Sequence, residues 1–206
     1  MASIKNELVI AYNRQAATRN AAARQEWKIQ VRDSFLAQVQ KQPLHSLLDI
    51  GSGPGHDGKF FQENGLKVSC IDISPKMVEL CIAKGLQAKV MDFSQMSFHD
   101  KSFDAVWALN CLLHVPKVEL PGVLTEISRV LKPGGLFFIG VYGRYNSEGI
   151  WKDDDYQPKR FFSFFDEATL KAMLSQFFEV VSFQVFPHTD ELDFHAIVVT
   201  NCKGVR

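Results

Sequence analysis

The sequence LLDIGSGPGHDG, residues 47–58, joins a short apolar run to a glycine-rich turn and the start of a helix. Gly51, Gly53 and Gly55 carry no Cβ, so the backbone can approach a ligand closely at these positions. The helix that follows presents free backbone N–H groups in its first turn. A buried strand, a glycine turn and a helix in this order predict a parallel α/β sheet with a ligand site at the strand end.

Apolar strands and helices alternate on both sides of this turn. The predicted strands are SLLDI (46–50), KVSCIDI (67–73), QAKVMDF (87–93), FDAVWALN (103–110), LFFIGVYG (136–143), FEVVSFQVF (178–186) and LDFHAIVVT (192–200). Strands joined by helices lie parallel, with both faces of the sheet covered. The last two strands are separated only by PHTDE, which is too short for a crossover. We therefore predict an α/β fold class, a doubly wound, mostly parallel seven-stranded sheet with a C-terminal antiparallel hairpin.

Length and composition fit a single α/β domain. The 206 residues, 46% of them hydrophobic, are enough to bury one core. The 23 basic and 23 acidic residues leave no net charge, which argues against nucleic acid or an anionic membrane as a partner. No apolar run approaches the roughly 20 residues that span a bilayer, and the first residues lack the apolar core of a signal peptide. The cysteines, Cys70, Cys81, Cys111 and Cys202, stand too far apart to suggest a disulfide framework. We expect a cytoplasmic protein.

Two parts of the chain lie outside the alternating pattern. Residues 3 to about 40 are rich in alanine and lack glycine, and Pro43 closes them. We therefore expect residues 1–42 to form a helical cap and residues 43–206 to form the cofactor-binding domain. Residues 142–165 are too long and too aromatic for a plain connection. We expect them to form a substrate-side insertion or lid.

Carboxylates follow the predicted strand ends. Asp72 ends the second strand, where a carboxylate can accept both hydroxyl protons of a ribose, and Asp92 ends the third. An adenosine-containing cofactor is therefore expected. The residues from Gly53 to Gly58 also satisfy the dinucleotide pattern GxGxxG, which keeps a nicotinamide cofactor open. Against it, Asp49 precedes the loop, and a carboxylate there suits a cation and repels a pyrophosphate.

The motifs DIGSGPG, CIDISPKMVE, MDF, FDAVWALNCLLHVP and LKPGGLFFIGV occur in this order within residues 44–141. Together they resemble the class I S-adenosylmethionine-dependent methyltransferases, in particular the small-molecule group that includes ubiquinone-type methyltransferases. The resemblance implies a Rossmann-like fold, S-adenosylmethionine as cofactor and S-adenosylhomocysteine as product. It says little about the methyl acceptor.

The resemblance also implies roles for residues around the strand ends. Asp49 would orient the amino end of the cofactor, Asp72 would hold the ribose hydroxyls, and Asp92 would accept from the adenine amino group. The remaining positions would line the methionine part or pack on the adenine. The implied cofactor-binding residues are Asp49, Gly51, Ser52, Gly53, Asp72, Ile73, Met77, Asp92, Phe93 and Asn110.

Methyl transfer from a sulfonium is an in-line displacement, so it chiefly requires two groups held about 3–3.5 Å apart and aligned. A metal is not required, and a general base helps only if the nucleophile carries a proton. His114, after the fourth strand, is the candidate base because imidazole titrates near neutrality. Tyr12, matching a tyrosine of the resembled family, is the second candidate catalytic residue. Cys111 has no cationic neighbour in sequence, which favours inert packing.

Candidate acceptor-binding residues lie in the N-terminal helix and in residues 142–165. They are Arg19, Tyr142, Arg144, Trp151, Tyr156 and Arg160, which could wall a pocket or hold an anionic group. Arg19 stands where the resembled family has a second tyrosine, which could indicate an acidic substrate. The run Asp153-Asp154-Asp155 indicates a solvated charge cluster, since consecutive carboxylates point in different directions and no second ligand group is evident. No metal site is predicted.

Three functions remain open on the sequence. The leading hypothesis is a methyltransferase that transfers a methyl group to O, N or S of a small molecule. The others are a nicotinamide-dependent oxidoreductase and a non-catalytic protein that binds S-adenosylmethionine. The sequence lacks the Asn/Asp-Pro-Pro-aromatic run typical of base-modifying methyltransferases after Asn110, so a nucleic-acid substrate is disfavoured. The oligomeric state is not indicated.

Overall fold

The computed structural model describes residues 3–201. Its helices are α1 (Ile4–Ala21), α2 (Glu26–Gln40), α3 (His56–Glu63), α4 (Pro75–Ala83), α5 (Leu120–Val130) and α6 (Glu167–Leu174), with a 3₁₀ turn at Leu112–His114. Its strands are β1 (Ser46–Ile50), β2 (Lys67–Asp72), β3 (Gln87–Val90), β4 (Phe103–Leu109), β5 (Leu131–Gly143), β6 (Ser147–Ile150), β7 (Phe161–Phe164), β8 (Glu179–Pro187) and β9 (Asp193–Thr200). Cys202 lies outside the described residues.

The main sheet has seven strands in the order β3-β2-β1-β4-β5-β9-β8. Strands β1 to β5 pair in parallel, whereas β9 runs antiparallel to both β5 and β8. The predicted fold class is confirmed, including the closing hairpin. The strand order reverses between β1 and β4, and ligands of open α/β sheets bind beyond the carboxyl ends of the strands at such a switch point.

Each face of the sheet packs against its own set of helices. On one face, α2 and α3 pack on the sheet through Phe35, Phe61, Trp107 and Phe138. The rings of Trp107 and Phe138 are stacked with their centroids 4.0 Å apart. On the other face, α5 and α6 cover the alternate side chains of β4 and β5. Full burial of one such large side chain contributes about 1.5–3 kcal/mol relative to its exposure.

The predicted helical stretch from residue 3 to 40 is two helices rather than one. Ala22 and Gln25 adopt extended backbone conformations that end α1 and begin α2. The break has a tertiary cause, because α1 packs on α4 while α2 inserts Phe35 into the core beneath the sheet. An alanine-rich segment carries no local signal for such a change in direction.

Residues 142–165 contain the pair of strands β6 and β7, which form a separate antiparallel sheet that was not predicted. Trp151 packs edge-on against Phe162 and Phe164, whose rings are stacked on each other. β7 contacts the 3₁₀ turn that carries His114. The insertion is thus held against the end of β4. Among residues 3–201, no helix is long and apolar enough to cross a membrane.

Candidate functional site

The glycine loop bends tightly at the carboxyl end of β1. Gly51, Gly53 and Gly55 all have positive φ, the left-handed region that favours glycine. A Cβ on Gly51 would lie 2.3 Å from Cβ of Cys111, which follows β4. Cys111 itself is buried, and its thiol pKa is raised by burial, which agrees with inert packing. The loop therefore tolerates only glycine at position 51.

Asp72 ties the end of β2 to this loop. Its carboxylate accepts hydrogen bonds from the backbone N–H of Gly53 at 2.9 Å and from that of Ser74 at 2.8 Å. Burial raises the pKa of Asp72 above its usual value, although both N–H groups act to lower it. Cys81, in α4, donates to the carbonyl of Gly53 at 3.2 Å. The carboxylate is thus fixed in place beside the loop.

Two cavities flank the loop. The β2 cavity, of about 240 Å³, lies between the ends of β2, β3 and β4 and the helix α1. Of the predicted site residues, it brings together Tyr12, Arg19, Gly51, Gly53, Asp72, Ile73, Asp92, Phe93, Asn110 and His114. The α2 cavity, of about 340 Å³, lies between the loop and the start of α2 and adds Asp49 and Ser52. Both cavities share Arg19, Gly51, Gly53, Leu109 and Asn110, so they meet at the loop.

Several residues that line the α2 cavity carry buried polar atoms without hydrogen-bond partners. Arg19 Nε, Arg24 Nε, Asp49 Oδ2 and His56 Nε2 are buried and have no hydrogen-bond partner, and all four residues line this cavity. An unsatisfied buried polar group costs about 1–3 kcal/mol. Such a concentration of unsatisfied atoms is expected where a polar ligand completes the hydrogen bonds.

Charges of both signs line the α2 cavity. Burial and the nearby Asp57 raise the pKa of Asp49 well above its usual value. Burial, together with the neighbouring Arg24 and Arg19, lowers the pKa of Lys28 to about 8. Within residues 3–201, Lys28 forms no ion pair with a carboxylate. The cavity can therefore hold a group that combines an ammonium with a carboxylate.

Asp57 organises one wall of the α2 cavity. Its carboxylate forms an ion pair with Arg24 and accepts a hydrogen bond from Trp107 Nε1 at 3.2 Å. Arg24 lies in the break between α1 and α2, so this ion pair anchors the break to the start of α3. The break thereby places Arg24 and Lys28 beside the loop.

Tyr12 and His114 meet beside the β2 cavity. His114 Nδ1 lies 2.7 Å from the carbonyl oxygen of Phe161, which can only accept, so Nδ1 carries a proton. In the neutral ring, Nε2 then accepts from the Tyr12 hydroxyl at 2.6 Å. Burial lowers the pKa of His114 to about 3, and the cations Arg160 and Arg19 act in the same direction. His114 is therefore a neutral ring whose two nitrogens both have partners.

Arg160 holds the other side of the Tyr12 hydroxyl, to which its Nη1 donates at 3.0 Å. Its Nε and Nη2 donate to the two oxygens of Asp154 at 2.9 and 2.7 Å. Asp154 is buried, so the prediction that the aspartate run is solvated is wrong at this position, because its carboxylate accepts from the backbone N–H and the guanidinium of Arg160. Asp153 and Asp155 are exposed, as expected.

The insertion is joined to α1 by further polar contacts. Arg14 Nη1 donates to the carbonyl of Gln157 at 3.0 Å, and Arg19 Nη1 donates to the Tyr156 hydroxyl at 3.2 Å. The Arg160 guanidinium lies 3.5 Å from the centroid of the Tyr156 ring. Helix α1 and residues 142–165 thus form a composite cap, a term that we use below for these two segments.

Several predicted acceptor-binding residues lie elsewhere. Arg144 is exposed and donates to the carbonyl of Asp190, since the chain turns outward after β5. Tyr142 packs against Trp27 and Phe194. Arg160, Tyr156 and Trp151 belong to the cap, and Arg160 is neutralised by Asp154, so it is not free to hold an anion.

The predicted adenine contact at Met77 is also placed elsewhere. Its side chain is completely buried, with 0% exposure, and offers no surface to a ligand. Ile73, its predicted companion, does line the β2 cavity. Met77 points inward because it belongs to the buried face of α4, whose cap is Ser74.

Three charged residues around the cavities were not predicted from the sequence as site residues. Lys5 in α1 pairs with Asp92 at 2.7 Å, and this contact, against the effect of burial, helps to hold the pKa of Asp92 below its usual value. Arg24 and Lys28 line the α2 cavity. Because Arg24 lies in the break between α1 and α2, helical spacing could not have indicated that it lies near Lys28. Among residues 3–201, no cluster of potential metal ligands occurs.

Comparisons with known proteins agree with this arrangement. Residues 48–139 match the family model of the methyltransferase domain. A sterol 24-C-methyltransferase of Gibberella zeae is 36% identical over 128 residues, covering 58% of this chain and 32% of that protein. A demethylmenaquinone methyltransferase of Tropheryma whipplei is 29% identical over 142 residues, covering 66% of this chain and 52% of that protein. The chain thus spans only a third to a half of these relatives.

The fold has solved counterparts. The 1,6-didemethyltoxoflavin-N1-methyltransferase of Burkholderia thailandensis, solved with bound 1,6-didemethyltoxoflavin and S-adenosylhomocysteine, superposes with a TM-score of 0.75 at 22% identity. The match covers 98% of this chain and 92% of that one. At this identity the likeness shows the shared fold. The family match, which spans the glycine loop and the strand ends, identifies residues 48–139 as a methyltransferase domain.

Proposed function

We propose that the protein is a methyltransferase that transfers the methyl group of S-adenosylmethionine to a small molecule. The observation that carries the proposal is the pair of contiguous cavities around the glycine loop. One cavity offers carboxylates suited to an adenosine, and the other offers opposite charges suited to an amino acid. A molecule that joins an adenosine to an amino acid would occupy both.

Two of the residues with unsatisfied atoms around the α2 cavity, Asp49 and Arg24, fit the amino-acid end. Asp49 Oδ2 has no partner and would accept from the ammonium group. Lys28, with Arg24 beside it, would hold the carboxylate. A bound ammonium would stabilise the ionised form of Asp49, whose pKa burial now raises.

The β2 cavity fits the adenosine. Asp72 would accept from the ribose hydroxyls, while Asp92, which follows β3, would accept from the adenine amino group. Ile73 and Phe93 also line this cavity and would pack on the base. Each of these residues stands at or just beyond the end of a neighbouring parallel strand, which is why residues distant in sequence converge here.

The bound cofactor would supply a methyl group made electrophilic by the sulfonium. The protein's part would be to align the acceptor and exclude water, since in-line displacement depends on positioning. In this geometry Tyr12 and His114 orient each other beside the cavity. The hypothesis that His114 is a general base requires the Tyr12 hydroxyl to leave Nε2, and it stays a prediction.

We also propose that the composite cap covers the bound acceptor, and that the acceptor is a small molecule, with neither a nucleic acid nor an anionic membrane as partner. The balanced charge of the chain supports the second point. A cytoplasmic location is proposed because Cys70, Cys81 and Cys111 are free thiols.

Calorimetry with S-adenosylhomocysteine and NAD, side by side, tests the cofactor assignment. We expect S-adenosylhomocysteine to bind and NAD not to bind. Asp49→Asn should weaken S-adenosylhomocysteine binding, whereas Asp33→Asn, which changes an exposed carboxylate of α2, should not. Binding of NAD alone would replace the proposal with the oxidoreductase.

Turnover with labelled S-adenosylmethionine then separates an enzyme from a binding protein. Panels of small acids, amines and thiols should include at least one that receives the label. Tight cofactor binding without transfer to any broad panel or metabolite extract would favour the non-catalytic alternative.

A further inference from the structure

Arg19 lies at the boundary between the two cavities and lines both. Under the proposed function, the amino-acid end of the cofactor lies by Asp49 and the ribose lies by Asp72. The sulfur joins these two parts, so it lies at the boundary, among the residues that the cavities share. Of those shared residues, Arg19 is the one that carries a charge.

Among residues 3–201, no carboxylate lies within ion-pair distance of the Arg19 guanidinium, although its charge acts from farther away on Asp72 to lower the pKa of that carboxyl. Its Nη1 donates to the Tyr156 hydroxyl at 3.2 Å, and its Nε is buried without a partner. No ion pair joins it to a carboxylate anywhere in residues 3–201. By contrast, Arg24 is paired with Asp57 and Arg160 with Asp154.

A partly buried cation with an unsatisfied N–H is unfavourable unless an anion completes it. The cost would increase when a sulfonium, a second cation, is bound at the same boundary, because like charges at short range repel. The folded protein therefore leaves room for one negative charge beside Arg19. That charge belongs either to the cofactor's own carboxylate or to the acceptor.

Position favours the acceptor. Lys28 and Arg24 line only the α2 cavity, where Asp49 also lies, and would serve the cofactor's carboxylate there. Arg19 extends to the Tyr12 side, with its guanidinium carbon 5.3 Å from the centroid of the Tyr12 ring. It is thus turned toward the wall formed by Tyr12 and His114.

We propose that Arg19 binds an anionic group of the methyl acceptor, so that the substrate class is a small carboxylate-bearing molecule. This inference rests on the proposed function. It identifies Arg19 as a specificity-determining residue, because an acceptor without the negative charge would leave Arg19 and the sulfonium uncompensated.

A matched pair of ligands tests this without knowledge of the natural acceptor. In both, nitrogen replaces the sulfur of S-adenosylhomocysteine and carries an arm on the acceptor side, ending in a carboxylate in one ligand and in the isosteric carboxamide in the other. Calorimetry should show the carboxylate ligand binding at least about tenfold more tightly, the size expected of a charged hydrogen bond.

Variants assign the preference to one side chain. Arg19→Gln should abolish the preference for the carboxylate arm, which is measured as the ratio of the two affinities within the same variant. Arg19→Lys, which keeps the charge, should retain part of it. Arg14→Gln removes the same charge from an exposed position of the same helix and should leave the preference intact.

Five results would overturn the inference. The two arms could bind equally, or both ligands could fail to bind while S-adenosylhomocysteine binds. Either result would show that the boundary does not bind an anion of the acceptor. A preference that survives in Arg19→Gln would assign it to another residue. If Arg19→Gln loses S-adenosylhomocysteine binding and the wild-type protein binds the two arms equally, Arg19 would be assigned to the cofactor's carboxylate. If the wild-type protein binds none of the three ligands, the proposed function fails first, and the inference fails with it.

Discussion

The carboxyl edge of the sheet and the composite cap differ in whether their buried charged groups are paired within the protein. At the edge, Asp49 has a carboxylate oxygen without a partner, and Asp72 accepts hydrogen bonds from the neutral backbone N–H groups of Gly53 and Ser74. In the cap, Asp154 and Arg160 satisfy each other through two side-chain hydrogen bonds. Burial raises the pKa of both edge carboxylates, whereas bonding to Arg160 outweighs burial and lowers that of Asp154.

This difference separates positions that stabilise the fold from positions that await a ligand. A buried charge that has its partner within the protein belongs to the folded structure, and breaking the pair is costly. A buried charge without a partner lowers stability until something binds to it. Stability and ligand affinity should therefore respond to substitutions in different places.

Asp154→Ala should have the largest effect on stability. It leaves the guanidinium of Arg160 buried without its partner, and breaking such a pair costs about 3–5 kcal/mol. The measurement is the free energy of unfolding in urea. Asp153→Ala removes the adjacent exposed carboxylate and should change it by less than about 0.5 kcal/mol. If the two variants are equally stable, the cap is not held by this pair.

Asp72→Ala should act on binding. We expect the dissociation constant for S-adenosylhomocysteine to rise at least about tenfold, since a hydrogen bond to a charged group contributes about 1.5–3 kcal/mol. Because Gly53 and Ser74 also lose an acceptor, Asp72→Asn, which preserves shape, should accompany it. Calorimetry on folded protein gives the affinities. An unchanged constant in both folded variants would contradict the ribose assignment.

His114 should make the protein sensitive to acid. Its pKa is about 3 in the folded state and about 6.5 when unfolded. Between these values the unfolded chain binds the additional proton, so the unfolding free energy falls as pH falls from about 6.5. His114→Phe should show a weaker fall between pH 6.5 and 4.5 in urea titrations. The same slope in both proteins would mean that His114 titrates normally.

Lys5→Met should have the smallest effect. The Lys5 side chain is 48% exposed and that of Asp92 33%, so solvent screens their ion pair. Exposed pairs contribute about 0–1 kcal/mol, and the unfolding free energy should fall by no more than that. A loss comparable with that of Asp154→Ala would show that the two ends of the cap are equally important to its stability.

The sheet and its edge were predictable because their signals are local. Each strand is a short apolar run, and the crossover helices between them require parallel pairing. Once the strands are parallel, Asp49, Asp72 and Asp92 come to one edge whatever the detailed packing. The glycine loop was equally predictable from the sequence, since positive φ at Gly51 requires a residue without a Cβ.

The cap was predicted as a region, but its contacts were not. Tyr12 and His114 are 102 residues apart in sequence and meet only through packing of α1 against the insertion. From the sequence alone, Arg144 and Arg160 are equally plausible anion-binding residues. The outward turn after β5 directs one to the surface, and Asp154 neutralises the other.

By itself, the sequence determined the doubly wound sheet, the glycine turn and the carboxylates at its edge, because strand period and turn chemistry act over a few residues. The tertiary structure decided which charges are neutralised and which are left for a ligand. Whether a charge is paired depends on the partners that distant segments bring together. The local sequence around Arg19 and Arg160 does not indicate that Arg160 is paired and Arg19 is not.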